Sequence, residues 1–160
     1  IINDARLSKI ISNVALKNKD DLLENNITFE VSNADKIVLT DAKWMEFMLN
    51  QIVNNSIKYK DKTKAESYIK ISAAEILDNG IGINASDLPR VFDKSFTGEN
   101  GHEYSKATGM GLYIVKKLCD KLGSKVSIES VKGEYTRVKI TFYKNDFYKE
   151  ITDSNESGSM

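Results

Sequence analysis

Leu7, Ile10, Ile11 and Val14 recur at spacings of three and four, and that period predicts an amphipathic helix near the start of the chain. The period then changes to two. Over residues 26–32, Ile27, Phe29 and Val31 alternate with Thr28 and Glu30, and residues 36–40 follow across Asn33-Ala34-Asp35, so the two runs read as a β-hairpin. Helical spacing returns over residues 42–60, where Met45, Leu49 and Ile52 form an apolar flank and Asp41 stands where an N-cap should. Residues 67–73 read as another strand, and Ser86-Asp87-Leu88-Pro89 as a helix start, because proline is tolerated in a first turn. Beyond a polar loop over residues 93–108, Leu112, Ile114, Val115, Leu118 and Leu122 mark a packed helix over residues 111–122 that stops at Gly123. Two strands, 125–131 and 135–143, finish the patterned part across Lys132-Gly133-Glu134, with Val126, Ile128, Val138, Ile140 and Phe142 on one face. Hairpins interleaved with helices predict an α+β class, a mixed and mostly antiparallel sheet covered on one face by helices.

At 160 residues and 41% hydrophobic content the chain supports one domain with its own core. Its 23 basic and 23 acidic residues cancel, and no long basic face stands out, which argues against nucleic acid as a partner. Cys119 is the single cysteine, so an internal disulfide and a thiolate zinc site are excluded, and it reads as a small core residue. No apolar run reaches the roughly 20 residues that span a bilayer and no signal peptide opens the chain, so a cytoplasmic domain is expected. The abrupt helical start without Met points to a piece of a longer protein. Residues 146–160, small and polar without apolar period, are expected to be a disordered tail or residues added by cloning.

The candidate chemistry falls in three places. Gln51, Asn55, Lys58 and Tyr59 recur at helical spacing and would share one face of the helix over 42–60. Asn55 offers a neutral carbonyl oxygen, suited to a magnesium ion that draws most of its coordination from water and phosphates. Lys58, one turn on, would bring a cation near phosphate oxygens, and Tyr59 would pack near a base or sugar. A solvated helix face is the plainer alternative, although consecutive asparagines are mediocre helix formers. Second, Asp78 in Asp78-Asn79-Gly80-Ile81-Gly82-Ile83 precedes a glycine turn, a place where a carboxylate can accept a hydrogen bond from the exocyclic amine of adenine. The same residue would also serve to stabilise its own Asn-Gly turn. Gly80 and Gly82 would let the backbone run close to the base, with Ile83 adding apolar area beneath the ring. Third, Thr108-Gly109-Met110-Gly111-Leu112 opens a helix, so free backbone donors and the helix dipole would meet phosphate, with Lys106 and Thr108 adding a charge and a hydroxyl. The spacing of neither the dinucleotide fingerprint nor the Walker loop is met. His102, the one histidine, lies in a polar loop and reads as merely exposed.

Together these motifs resemble the catalytic, ATP-binding domain of bacterial sensor histidine kinases, within the GHKL (Bergerat-fold) superfamily that also includes DNA gyrase and the heat-shock chaperone ATPases. The resemblance covers roughly residues 22 to 143. Gln51-Ile52-Val53-Asn54-Asn55-Ser56-Ile57-Lys58-Tyr59 is similar to the N box, Asp78 to Ile83 to the first glycine box, Val91-Phe92-Asp93-Lys94-Ser95-Phe96 to the phenylalanine box and Thr108 to Leu112 to the second glycine box. Lys132-Gly133-Glu134-Tyr135-Thr136 resembles the final segment, where the family's threonine approaches the adenine-binding aspartate. The run from Phe96 to Cys119 looks closest to intramembrane-sensing kinases of Gram-positive bacteria that answer envelope stress.

The resemblance implies a two-layer α/β sandwich with a flexible ATP lid over about 93–108. It implies ATP and Mg2+ as ligands, a nucleotide site made by Asn55, Lys58, Tyr59, Asp78, Gly80, Gly82, Ile83, Phe92, Lys106, Thr108, Gly109, Met110, Gly111, Leu112 and Thr136, and Asn55 as the magnesium ligand. Residues 1–20 would be the end of a dimerisation helix or a linker and 21–145 the catalytic domain. The phosphoacceptor histidine and its helical hairpin are absent from this sequence, so the partners implied are the protein's own dimerisation and phosphotransfer domain, a response regulator, and a membrane sensor region in the parent protein; the domain by itself is expected to be monomeric. The span from Ser72 to Leu77 is shorter than the strand, turn and strand of the family, so a central hairpin is expected to be truncated. A stand-alone ATPase and a binding module without transfer activity are the competing functions.

Overall fold

A computed structural model describes residues 1–94 and 111–142. The chain begins with β1 (Asn3–Arg6), α1 (Leu7–Lys17) and α2 (Lys19–Glu24), continues through β2 (Ile27–Ser32), β3 (Ile37–Thr40) and α3 (Ala42–Lys58), and then forms β4 (Ser67–Ser72) and β5 (Glu75–Asp78). A single 3-10 turn, Leu88–Arg90, precedes α4 (Gly111–Leu122), β6 (Ser124–Val131) and β7 (Tyr135–Phe142). Five strands make the main sheet in the order β2-β4-β5-β7-β6, and β1 and β3 make a separate antiparallel pair. Only β2 and β4 run parallel within the main sheet; its other pairings are antiparallel. The fold is therefore the α+β sheet-and-helix sandwich that the pattern predicts.

Helix α3 is the spine of the helical layer. Asp41 caps it, its Oδ1 accepting hydrogen bonds from the Lys43 and Trp44 amides at 3.1 and 3.2 Å, which satisfies donors that an unpaired helix start leaves open. Met45, Met48, Leu49, Ile52 and Val53 are buried beneath it against Ile69, Ile71, Ile76, Val138 and Ile140 of the sheet. α1 adds Leu7, Ile10, Ile11 and Val14 to the same core, and α4 adds Val115 and Cys119. Cys119 Sγ lies 3.7 Å from Met48 Sδ, and burial pushes its thiol up to about 11, as an inert core cysteine requires.

Two expectations are corrected here. Residues 26–32 and 36–40 do not form a hairpin. β2 lies parallel to β4 from Ile27 beside Ser67 to Ser32 beside Ser72, while β3 pairs with β1 from Asn3 beside Thr40 to Arg6 beside Ile37. Asn33, at φ 49°, turns the chain out of the main sheet, and β3 with α3 becomes the crossover that a parallel pair needs. The second correction concerns the short span after Ile71. β4 and β5 form a complete hairpin there, Ser72 opposite Glu75 across Ala73-Ala74, and β5 is the central strand of the sheet. A two-residue loop suffices because Ala73 takes φ 53°, the left-handed backbone that tight hairpins demand.

The β6–β7 hairpin forms as predicted, with Val126 opposite Ile140 and Ile128 opposite Val138, and Gly133 takes φ 82° in its turn. Gly123, at φ 73°, ends α4. Residues 95–108 of the predicted lid, with Phe96 and His102, and the tail over 146–160 lie outside the described residues.

Candidate nucleotide site

The site is assembled where α3 ends, β5 ends and α4 begins. The apolar flank of α3 runs Met45, Leu49, Ile52 and then reaches Ser56, a polar residue at a core position and itself buried. A buried hydroxyl needs a partner, and Ser56 Oγ donates to Asp78 Oδ2 at 2.7 Å. The other carboxylate oxygen, Oδ1, accepts the Gly80 amide at 2.9 Å. Asp78 is only 8% exposed. Burial raises its pKa from 3.8 to about 6, opposed by the Ser56 and Gly80 hydrogen bonds and by the charge of Lys64. Asp78 thus stabilises its own turn and still has acceptor capacity to spare, since an ionised carboxylate offers about four acceptor sites and two are used by these contacts.

Thr136 stands directly opposite Asp78 on β7, and Ser130 opposite Thr136 on β6. Ser130 Oγ donates to Tyr135 O at 2.6 Å and lies 2.9 Å from Thr136 Oγ1, and it accepts the Ile83 amide at 2.9 Å. With its one proton committed to the carbonyl, Ser130 takes the Thr136 proton, so its hydrogen-bonding capacity is filled. The loop after β5 is held from other sides as well. The Ile81 amide donates to Tyr59 O at 3.0 Å and the Gly133 amide to Ile81 O at 2.7 Å. Asn79 Oδ1 accepts the Tyr68 amide, and Asn79 Nδ2 donates to Glu66 O, each at 2.9 Å.

The glycines in this loop are required for a reason other than room for a base. A Cβ on Gly80 would lie 2.5 Å from Tyr59 O, and one on Gly82, at φ 71°, would lie 2.3 Å from Val131 O. The close approach is to the chain's own backbone. At the start of α4, where Gly111 is buried, a Cβ would fit without overlap. A Cβ on Gly111 would sit 3.5 Å from Asn55 Nδ2, 3.6 Å from Asn55 Oδ1 and 3.6 Å from Gln51 Oε1. Gly111, the described glycine of the second cluster, therefore meets the polar stripe of α3 although the two are far apart in sequence. Among the described residues no side-chain hydrogen bond engages the Asn55 amide, which is half-exposed.

The remaining sequence-predicted residues fall around this junction. Lys58 is exposed in the last turn of α3, Tyr59 is half-buried as the residue that ends it, and Leu112 is half-buried in the first turn of α4. Ile83 is half-buried with its amide fixed by Ser130, and Phe92 packs partly against the core. Lys106, Thr108, Gly109 and Met110 lie outside the described residues. Sequence reasoning missed Ser56, Ser130 and Lys64. Only Ser56 left a signal, the break in an otherwise apolar helical flank. Among the described residues no three His, Cys, Asp or Glu side chains cluster as a metal site.

Residues 40–146 match the family described as histidine kinase-, DNA gyrase B-, and HSP90-like ATPase. The chain is 39% identical over 114 residues to the sensor histidine kinase YxdK of Bacillus subtilis, covering 68% of this chain and 35% of that protein. It is 35% identical over 134 residues to the sensor protein BceS of Halalkalibacterium halodurans, covering 81% of this chain and 40% of that protein. The chain thus spans well under half the length of these relatives. Among solved structures, the catalytic domain of histidine kinase ThkA superimposes with a TM-score of 0.71 at 21% identity, over 88% of this chain and 97% of that one. The mycobacterial sensor histidine kinase MprB gives 0.69 at 18% identity, over 89% and 97%. At those identities the structural likeness speaks for the fold.

Proposed function

Because the chain belongs to the histidine kinase-, DNA gyrase B-, and HSP90-like ATPase family, we propose that it binds ATP with magnesium and presents the γ-phosphate to a histidine on a separate dimerisation domain, as the catalytic unit of a two-component sensor kinase. The observation that carries the reading is the Asp78 carboxylate, buried at the end of the central strand and fixed from both sides. A buried carboxylate without an ion pair is costly to stability. Its spare acceptor sites suit the exocyclic amine of adenine; guanine, with a carbonyl in that position, would set acceptor against acceptor.

The other assignments follow from position. Thr136 lies beside Asp78, and Ile83 and Tyr59 would flank the base and sugar. Gly80 and Gly82 keep the loop in register, Phe92 anchors the start of the lid against the core, and Lys58, Lys106, Thr108, Gly109, Met110, Gly111 and Leu112 would surround the phosphates. The Asn55 side-chain oxygen beside Gly111, which no side-chain hydrogen bond engages among the described residues, fits a hard cation that takes its other ligands from phosphate and water. When bound, magnesium supplies neutralisation of phosphate charge. The chain's own residues hold the base and orient the triphosphate, so that the γ-phosphoryl group passes to a histidine nitrogen and ADP leaves. Such transfer depends mainly on positioning. Gln51, one turn before Asn55, is an amide and does not take a proton near neutral pH, so it does not activate water as a carboxylate would. That favours transfer over hydrolysis.

We assign the parent protein to the intramembrane-sensing, envelope-stress kinases of Gram-positive bacteria, anchored in the cell membrane with this domain in the cytoplasm and a response regulator downstream. No helix among the described residues is long and apolar enough to cross a membrane. Residues 1–20 would be the entry from the dimerisation hairpin, with α1 packed as part of this domain, residues 21–145 the rest of the catalytic unit and 146–160 a tail. The isolated domain would be a monomer.

Calorimetric titration of ATP with and without magnesium tests the site. Native protein should bind, Asp78→Asn should abolish binding, and Asn55→Ala should remove the magnesium dependence. Mixing with the dimerisation helices of a kinase of this class then tests the reaction. Labelled phosphohistidine supports transfer, free phosphate alone supports a hydrolase, and binding without either leaves a nucleotide-binding module.

A further inference from the structure

Lys64 lies in the segment between α3 and β4, and nothing in the sequence pattern marks it. That segment is preformed. Asp61 Oδ1 accepts the Thr63 amide at 2.9 Å and the Thr63 hydroxyl at 2.5 Å, and the Lys64 amide donates to Asp61 O at 3.3 Å, a local turn of the kind aspartate makes. From it the Lys64 ammonium reaches across to three carbonyls: Asn79 O at 2.8 Å, Glu134 O at 3.0 Å and Gly80 O at 3.4 Å. Among the described residues no carboxylate forms an ion pair with it. An ammonium has three donors and no acceptor, and here three main-chain oxygens converge on it.

Those oxygens belong to two different elements. Asn79 and Gly80 begin the loop that carries the Asp78 and Gly80 contacts, and Glu134 belongs to the β6–β7 turn. Gly133 N to Ile81 O and Ile83 N to Ser130 Oγ stitch the same two elements together farther along. At Asn79 and Gly80 it is Lys64 that joins the loop to the turn. A tie at the first residues after Asp78 controls the direction of the Gly80 amide, and hence which acceptor sites of the Asp78 carboxylate remain for a base.

We propose that Lys64 is a positioning residue for base recognition, strapping the loop after β5 to the β6–β7 turn so that Asp78 and Gly80 are held in the geometry that accepts adenine. This rests on the nucleotide reading above. The groups bonded to the carboxylate, Ser56 and the Gly80 amide, are neutral; Lys64, held on the neighbouring carbonyls, adds a positive charge that favours ionised Asp78 from a distance.

The test compares native chain, Lys64→Met and Lys64→Arg, by ATP and GTP titration across pH 5–8 and by amide hydrogen exchange without nucleotide, with urea unfolding to verify that each variant is folded. Lys64→Met should weaken ATP binding about tenfold or more, because the unstrapped loop must then be ordered when the base binds. It should also narrow the preference for ATP over GTP, speed exchange at Gly80 and Ile81, and move the pH of half-maximal ATP binding upward. Lys64→Arg, which keeps the charge, should return that pH toward the native value. If native protein binds ATP and Lys64→Met leaves affinity, base preference and pH profile unchanged, the inference falls, even if exchange quickens, because the strap is then structural only. If native protein binds no ATP, the nucleotide reading falls first and this one with it.

Discussion

Replacing Asp78 with asparagine should make the protein more stable while removing its ability to hold ATP. The carboxylate is buried at the end of β5 with its pKa raised from 3.8 to about 6, a difference worth roughly 3 kcal/mol at 1.36 kcal/mol for each factor of ten in proton affinity. Asparagine has the same shape. Its Oδ1 can accept the Gly80 amide, and its Nδ2 can donate to Ser56 Oγ, whose own proton then loses its carboxylate acceptor, a cost that brings the expected gain below the full figure. The neutral side chain therefore keeps both contacts without the cost of burying charge. The sign follows from linkage. Below about pH 3.8 the carboxyl is protonated in the folded and the unfolded chain, and the two proteins should be about equally stable. Between about 3.8 and 6 the folded chain still holds the proton that the unfolded chain has released, so native stability falls as pH rises. Above about 6 the carboxylate is charged in both states and the full penalty applies. Asp78→Asn should accordingly gain about 1–3 kcal/mol at pH 7, the upper figure being the net penalty left after the Ser56, Gly80 and Lys64 interactions have offset part of the desolvation, and melt roughly 3–10 °C higher for a domain of this size. Urea unfolding at pH 4, 5.5 and 7.5, paired with ATP titration at pH 7.5, measures both halves. A loss of stability at pH 7.5, or a difference between the proteins that does not change with pH, would refute the reasoning.

Two backbone substitutions test the loops around the site. Gly82→Ala places a Cβ 2.3 Å from Val131 O at φ 71° and should cost about 2–4 kcal/mol through overlap and left-handed strain; an unchanged thermal midpoint would contradict the close approach. Ala73→Gly relieves φ 53° in the β4–β5 turn and should stabilise by about 0.5–1 kcal/mol, visible as a higher urea midpoint with ATP binding unaltered. Asn55→Ala should leave the unfolding curve nearly native, since no side-chain hydrogen bond among the described residues engages its amide, while removing the magnesium dependence of ATP binding; equal magnesium dependence in the two proteins would remove Asn55 from the metal.

What the sequence determined by itself was local. Apolar spacing located α1, α3 and α4; alternation located β2, β4, β6 and β7; Asp41 marked the cap of α3 and Gly123 the stop of α4. The polar stripe carrying Asn55 and the Asp78 turn were legible too, because consecutive asparagines in a helix and aspartate before glycine depart from what packing alone would choose. The partner of β2 was not legible, since alternation says that a strand has two faces and says nothing about which strand lies beside it. β2 pairs with β4 across the intervening β3 and α3, and the short link over residues 33–35 that resembled a turn instead leads out of the sheet. The hairpin at Ala73-Ala74 was hidden because an alanine at positive φ carries none of the marks of a turn residue. Lys64 and Ser130 were hidden for the deeper reason. Their partners are main-chain carbonyls and amides of distant loops, groups that every residue carries, and only the folded backbone brings a particular few of them within reach of one ammonium or one hydroxyl.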